Sequence, residues 1–172
     1  MITNDLIATV NNDDVITGYS YKQEVHRLGL LHRAFSIQVI HSEKGFLLHQ
    51  RAFKKYHSPG LWTNTCCSHL LPGEEMEEAI HKRLKHEMGF DCELNFVGKF
   101  RYYAAFDNGL FENEIDHVYV GVWDGTPKPH PDEVAEYAWV MPDDIKQRLH
   151  TNAHDFTAWF GQVFNTIRSH CR

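Results

Sequence analysis

The sequence predicts an α+β fold. Three observations carry that prediction: a sheet is being built before any long helix, strand and helix patterns are mixed along the chain, and the helices are few and late. Leu6 to Val10, the polar turn Asn11-Asn12-Asp13-Asp14, and Val15 to Thr17 ending at Gly18 read as a hairpin. The segment holding Lys22 and His26 reads as a loop. Ala34 to Ile40 and Phe46 to Gln50 are strand-like and joined by the turn His41-Ser42-Glu43-Lys44-Gly45. A third run, Trp62 to Cys67, follows Pro59-Gly60. Pro72-Gly73 then introduces a helix from about Glu74 to Met88, with acids in its first turn, Ile80, Leu84 and Met88 at helical spacing, and Gly89 as its stop. Further strands are expected at Cys92 to Phe100, Ile115 to Trp123 and Val134 to Val140, the last two separated by the Gly125 to Pro131 turn cluster. The final segment sets Phe156, Trp159, Phe160, Val163, Phe164 and Ile167 on one helical face.

At 172 residues the chain has the length of one ordinary domain able to bury its own core. There is no repeat, low-complexity tract or linker, so residues 1–172 are expected to form a single domain. A hydrophobic content of 42% and a net charge of −6 give no generic basic footprint for nucleic acid, so any bound phosphate must meet a local basic site. No basic segment followed by an apolar core opens the chain, and no run of about 18 apolar residues occurs. A cytoplasmic protein with neither membrane nor nucleic acid as partner is the expectation. Cys66, Cys67, Cys92 and Cys171 do not make a disulfide framework and are expected to be free thiols.

Glu112 and Glu114, two apart at the opening of a strand, point to one side and could converge on one site. Two such carboxylates repel unless one keeps its proton or a cation lies between them, although solvated acids at a strand end look the same in sequence. By the same parity Cys67 and His69 share a face, and Cys66 points the other way. The string Cys66-Cys67-Ser68-His69 lacks the paired spacing of a structural zinc site. His26 and His32 reach a common ion only if the fold brings them together. Lys22, Arg51, Lys55 and Arg83 form a local basic set that could hold a diphosphate or be scattered surface charge. Neither a P-loop nor a dinucleotide fingerprint is present.

The stretches Leu30-Leu31-His32-Arg33-Ala34-Phe35-Ser36, Pro59-Gly60-Leu61-Trp62-Thr63-Asn64-Thr65-Cys66-Cys67-Ser68-His69 and Phe111-Glu112-Asn113-Glu114 together resemble type I isopentenyl-diphosphate isomerase, of the wider Nudix fold group. The resemblance covers nearly the whole chain. It implies a Nudix-like mixed sheet flanked by helices, and a 1,3 proton shift turning isopentenyl diphosphate into dimethylallyl diphosphate in isoprenoid biosynthesis. It further implies that His26, His32, His69, Glu112 and Glu114 hold a divalent metal, Mn2+, Mg2+ or Zn2+, and that Glu87 helps bind Mg2+ carried by the diphosphate. Lys22, Arg51, Lys55 and Arg83 would grip the phosphates.

The implied chemistry protonates an unactivated alkene at one carbon and deprotonates the resulting tertiary cation at another, which requires two acid/base groups. By resemblance these are Glu114, with Tyr102 beside it, and Cys67 as thiolate. Trp159 would stabilise the cation with its indole face, or else is simply core on its helical stripe. A monomer or weak dimer is expected. The nearest alternative is a Nudix diphosphate hydrolase. Aligned on its signature, the chain keeps Glu74 but has Ser68 for the first glycine, Lys82 for arginine, and Arg83 and His86 where two glutamates belong. Losing those acids weakens the cluster that would activate water. A noncatalytic zinc module is a second alternative, but it gives no reason for the paired carboxylates.

Overall fold

In the computed structural model, which describes residues 5–171, the N-terminal hairpin is β1 (Leu6–Val10) and β2 (Ile16–Tyr21). Its second strand runs on past Gly18. The expected loop after it is instead a short helix, α1 (Lys22–Leu28), which ends where Gly29 takes the left-handed conformation, φ 68°. Seven residues are too few to show helical periodicity, so only Glu24 near the start and Gly29 at the stop signalled it.

Strands β3 (His32–His41) and β4 (Gly45–Arg51) form the expected antiparallel pair. The expected strand from Trp62 to Cys67 is two pieces, β5 (Trp62–Thr63) and β6 (Cys66–His69). Side chains replace the ladder between them: Thr65 Oγ1 accepts from Val39 N at 2.9 Å, and Asn64 Nδ2 donates to Ile37 O at 3.1 Å. Helix α2 (Met76–Met88) begins two residues later than expected and ends at Gly89.

The strand β7 (Asn95–Ala105) lies further along than expected, because it follows β8 (Phe111–Val122) through a bulge between Phe96 and Gly98. β8 itself begins four residues early and takes Glu112 and Glu114 into the strand. β9 (Val134–Val140) falls where expected. An unexpected helix, α3 (Pro142–Thr151), opens with Pro142, Asp143 and Asp144 and precedes a single 3-10 turn, Ala153–Asp155. Phe160, Val163, Phe164 and Ile167 of the aromatic stripe lie in α4 (Phe160–His170) with Trp159 at its N-cap, whereas Phe156 is extended ahead of the helix, where the 3-10 turn ends.

Among the described residues, nine strands make one mixed sheet, with β3 parallel to β8 and antiparallel to β6. Period-two alternation sends Phe35, Ile37, Leu47, Cys66 and Tyr119 into a core with α2, and Phe46, Leu48, Tyr102 and Val118 into a second core with α3 and α4. The four cysteines are free thiols, with Cys66 fully buried in the α2 layer and Cys67 packed toward the α4 layer. The hairpin is pinned to the sheet by Asp14, which meets Arg33 Nε at 3.0 Å, Lys99 Nζ at 2.9 Å and His117 Nε2 at 2.8 Å.

Candidate active site

Strand register assembles the site. His32 pairs with Glu114 across β3 and β8, and Tyr102 pairs with Glu114 across β7 and β8. Ala34 pairs with His69, and Ser36 with Cys67, across β3 and β6. Cross-strand partners share a face. The central strand offers only the small side chains of Ala34 and Ser36 there, so the larger groups on either side border a hollow. That cavity, about 70 Å³, is also lined by Lys22, Arg51, Lys55, Arg83, Glu87, Glu112 and Trp159. It shares Lys22, Arg51, Lys55, Arg83 and His69 with an outer cleft of about 580 Å³. His26, His32 and Tyr102 stand behind the lining, each buried.

His26, His32, His69 and Glu112 each bring one ligand atom to a group within 4.8 Å of one another. Glu114 borders it, with Oε2 3.1 Å from His32 Nε2 and 3.6 Å from His69 Nε2. His26 Nε2, His32 Nε2 and Glu112 Oε2 are buried with no hydrogen-bond partner. Orphaned buried nitrogen and oxygen atoms aimed at one point are what a cation requires, and this donor set suits a divalent metal. The electrostatics agree. Burial and the Glu112 charge push the Glu114 carboxyl well above its ordinary range; Glu112, against its own burial, is held well below by His26 and His32. Burial opposes a charge on His32, yet Glu112 and Glu114 hold it up to about 10.

The basic set converges too. Arg83 Nη2 lies 2.7 Å from Glu87 Oε1 and 3.4 Å from Glu133 Oε1, and Lys55 also pairs with Glu133. Burial, with Lys55 and Arg51 nearby, pushes the Lys22 ammonium below its ordinary range. Four cations facing one opening form a site for a multiply charged anion.

Trp159 Nε1 donates to Cys67 Sγ at 3.3 Å, and the thiol donates to Asn64 Oδ1 at 3.1 Å. The amide cannot flip without loss, since its Nδ2 donates to Ile37 O and to Cys66 O at 2.9 Å. Burial, then the Asp116 and Glu87 carboxylates, push Cys67 up to about 12. That direction favours the thiol over the expected thiolate. The Tyr102 hydroxyl is buried without a partner, and the Arg51 guanidinium sits 5.5 Å from the Trp159 ring centre.

Sequence reasoning missed several residues at this site. His57 Nε2 lies 3.2 Å from Glu112 Oε1, and burial pushes His57 down to about 3. Asp116 accepts from Ser36 Oγ at 2.7 Å and extends the alternation of Glu112 and Glu114, a signal that was available. Glu133 lies in a turn segment and His49 on an apolar strand, where nothing in the sequence marked them.

The NUDIX domain family matches residues 30–160. An isopentenyl-diphosphate Delta-isomerase of Pectobacterium atrosepticum is 47% identical over 161 residues, covering 94% of this chain and 90% of that protein. One of Serratia proteamaculans is 45% identical and covers 95% and 92%. In fold, the chain is similar to a crystal structure from Deinococcus radiodurans, at a TM-score of 0.75 and 15% identity, covering 95% of this chain and 98% of that one. A MutT protein structure from Methanosarcina mazei has a TM-score of 0.66 at 20% identity, covering 83% and 96%.

Proposed function

Because the chain belongs to the isopentenyl-diphosphate Delta-isomerases within the NUDIX domain family, we propose that the cavity between β6 and β8 is where it moves the double bond of isopentenyl diphosphate to give dimethylallyl diphosphate. The observation that carries this assignment is that Cys67, Glu114 and the four cations line one cavity, and that the same four cations also line the outer cleft. Lys22, Arg51, Lys55 and Arg83 take the diphosphate, which leaves the short hydrocarbon directed inward. Cys67 and Glu114 are the two acid/base groups and exchange roles between the forward and reverse directions. Tyr102, opposite Glu114 in register, steadies that proton transfer. Trp159 presents its indole to the tertiary cation and, with Arg51 over the ring, closes the pocket to water that would otherwise capture the cation as an alcohol.

His26, His32, His69, Glu112 and Glu114 would hold a divalent metal, Mn2+, Mg2+ or Zn2+, and Glu87 would help hold Mg2+ that accompanies the diphosphate. When bound, these cations supply the positive charge that buried carboxylates and phosphates demand. The same reading makes the whole chain one domain working in the cytoplasm as a monomer or weak dimer; residues 1–4 and 172 lie outside the described residues. No helix among the described residues is long and apolar enough to cross a membrane.

The test is incubation of the purified protein with isopentenyl diphosphate and Mg2+ in D2O, followed by NMR and a phosphate assay. Deuterated dimethylallyl diphosphate is the expected product. Phosphate release without isomerisation would instead mark a hydrolase.

A further inference from the structure

Tyr56 and His57, consecutive in the loop between β4 and β5, each touch a different member of the His/Glu cluster. The Tyr56 hydroxyl hydrogen-bonds His26 Nδ1. His57 Nε2 stands 3.2 Å from Glu112 Oε1, whereas Glu112 Oε2 faces His26 Nε2 and His32 Nε2, each at 3.5 Å. Each carboxylate oxygen therefore has its own side. We infer that the pair Tyr56-His57 is the orienting element of the cation cluster: Tyr56 sets the His26 tautomer, and His57 turns Glu112 so that one oxygen faces the ion.

A ligating nitrogen must be bare, so for His26 Nε2 to ligate, Nδ1 must carry the proton and Tyr56 Oη must accept it. With no cation bound, the same hydroxyl can donate to Nδ1 instead, and Nε2 then bears the proton facing Glu112. A hydroxyl serves both states and a phenyl ring serves neither. His57 is buried and cannot rotate freely, since its ring stacks on Phe106 with centroids 5.4 Å apart and its carbonyl accepts from Arg51 Nη2 at 3.2 Å. Tyr56 is 42% exposed, so core packing is not the reason for its position. Partners of this kind fix ligand orientation, and their loss typically weakens metal affinity about 10–100-fold.

This inference rests on the metal site proposed above, and the experiment separates the two. Metal-stripped full-length protein is titrated with Mn2+, free ion being followed by electron paramagnetic resonance, for the wild type, Y56F, H57L, H57Q and H32A. Y56F and H57L should bind Mn2+ about tenfold more weakly, H57Q should recover most of the loss because its amide nitrogen reaches toward Glu112 Oε1, and H32A should lose the site. If Y56F and H57L titrate like the wild type while H32A does not, the orienting role is wrong and the metal site stands. A wild-type titration from H32A would remove the metal site and this inference with it. Should circular dichroism show H57L unfolded, H57Q against the shorter H57N decides: equal affinities overturn the role, and a deficit confined to H57N supports it.

Discussion

Replacing Cys67 separates chemistry from packing. In Cys67→Ser the hydroxyl still donates to Asn64 Oδ1 and accepts from Trp159 Nε1, so folded stability should change by less than about 1 kcal/mol. A serine hydroxyl has no comparable acidity, and losing one acid/base group should cut turnover about 10²–10⁴-fold, roughly 3–5 kcal/mol of barrier. In Cys67→Ala the Trp159 N–H loses its acceptor, an unsatisfied buried donor that costs about 1–3 kcal/mol. Asn64 Oδ1 loses less, because Thr63 Oγ1 still donates to it at 2.9 Å. Cys66→Ala is the control: its sulfur is wholly buried in the other core layer, so it should cost about 1 kcal/mol of stability and leave turnover intact. Urea unfolding gives the stabilities, and NMR of isopentenyl diphosphate in D2O gives the turnover. Wild-type turnover in either Cys67 variant, or loss of turnover in folded Cys66→Ala, would refute the assignment.

Trp159→Phe keeps an aromatic face and loses the N–H to Cys67, whereas Trp159→Leu loses both. With a cation–π contribution of about 2 kcal/mol in a desolvated site, kcat should fall further in the leucine variant, roughly 30-fold, and an unchanged kcat there would remove the indole from the chemistry. Asp14→Asn should destabilise the fold by about 2–3 kcal/mol, read from urea midpoints, since Arg33 would lose a nearly buried partner while the half-exposed Lys99 stays solvated. Burial works against the Asp14 charge, but Lys99, His117 and Arg33 hold its carboxyl below the ordinary range. Its stabilisation is therefore complete above the unfolded value near 4 and fades as pH falls through the lower folded value, so Asp14→Asn should flatten the acid limb of stability against pH. His117, depressed first by burial, adds a loss that begins higher, as pH falls below about 6.5. An equally steep acid limb in Asp14→Asn would show that other carboxylates set it.

Much of the site was legible because it lies on strands. Residues two apart on a strand share a face whatever the rest of the fold does, so spacing alone pairs Glu112 with Glu114 and Cys67 with His69, and sends Cys66 to the opposite layer. Glu112 nonetheless falls before the strand that the sequence predicts, since acids read as a strand end until a site is there to bury them. The seven-residue α1 reads as a loop in the sequence, and α3, with Ile145 as its only buried residue, is not among the elements the sequence predicts. The two turns of α1 are too few to print a period, and α3 turns only Ile145 and Leu149 to the core, too few for an apolar stripe.

The sequence by itself determined the class of the fold, the faces of its strands, the apolar face and C-terminal stop of α2 and the apolar stripe of α4, because these follow from the repeat of the backbone and the identity of the side chains. Only the tertiary structure decided that His26 reaches His32, His69 and Glu112, that Tyr56 and His57 stand against them, and that burial pushes the Cys67 thiol up. The first two depend on the parallel pairing of β3 with β8 and on the path of a loop, the third on how completely the packed chain excludes water. Those are properties of distant segments meeting, and no local spacing contains them.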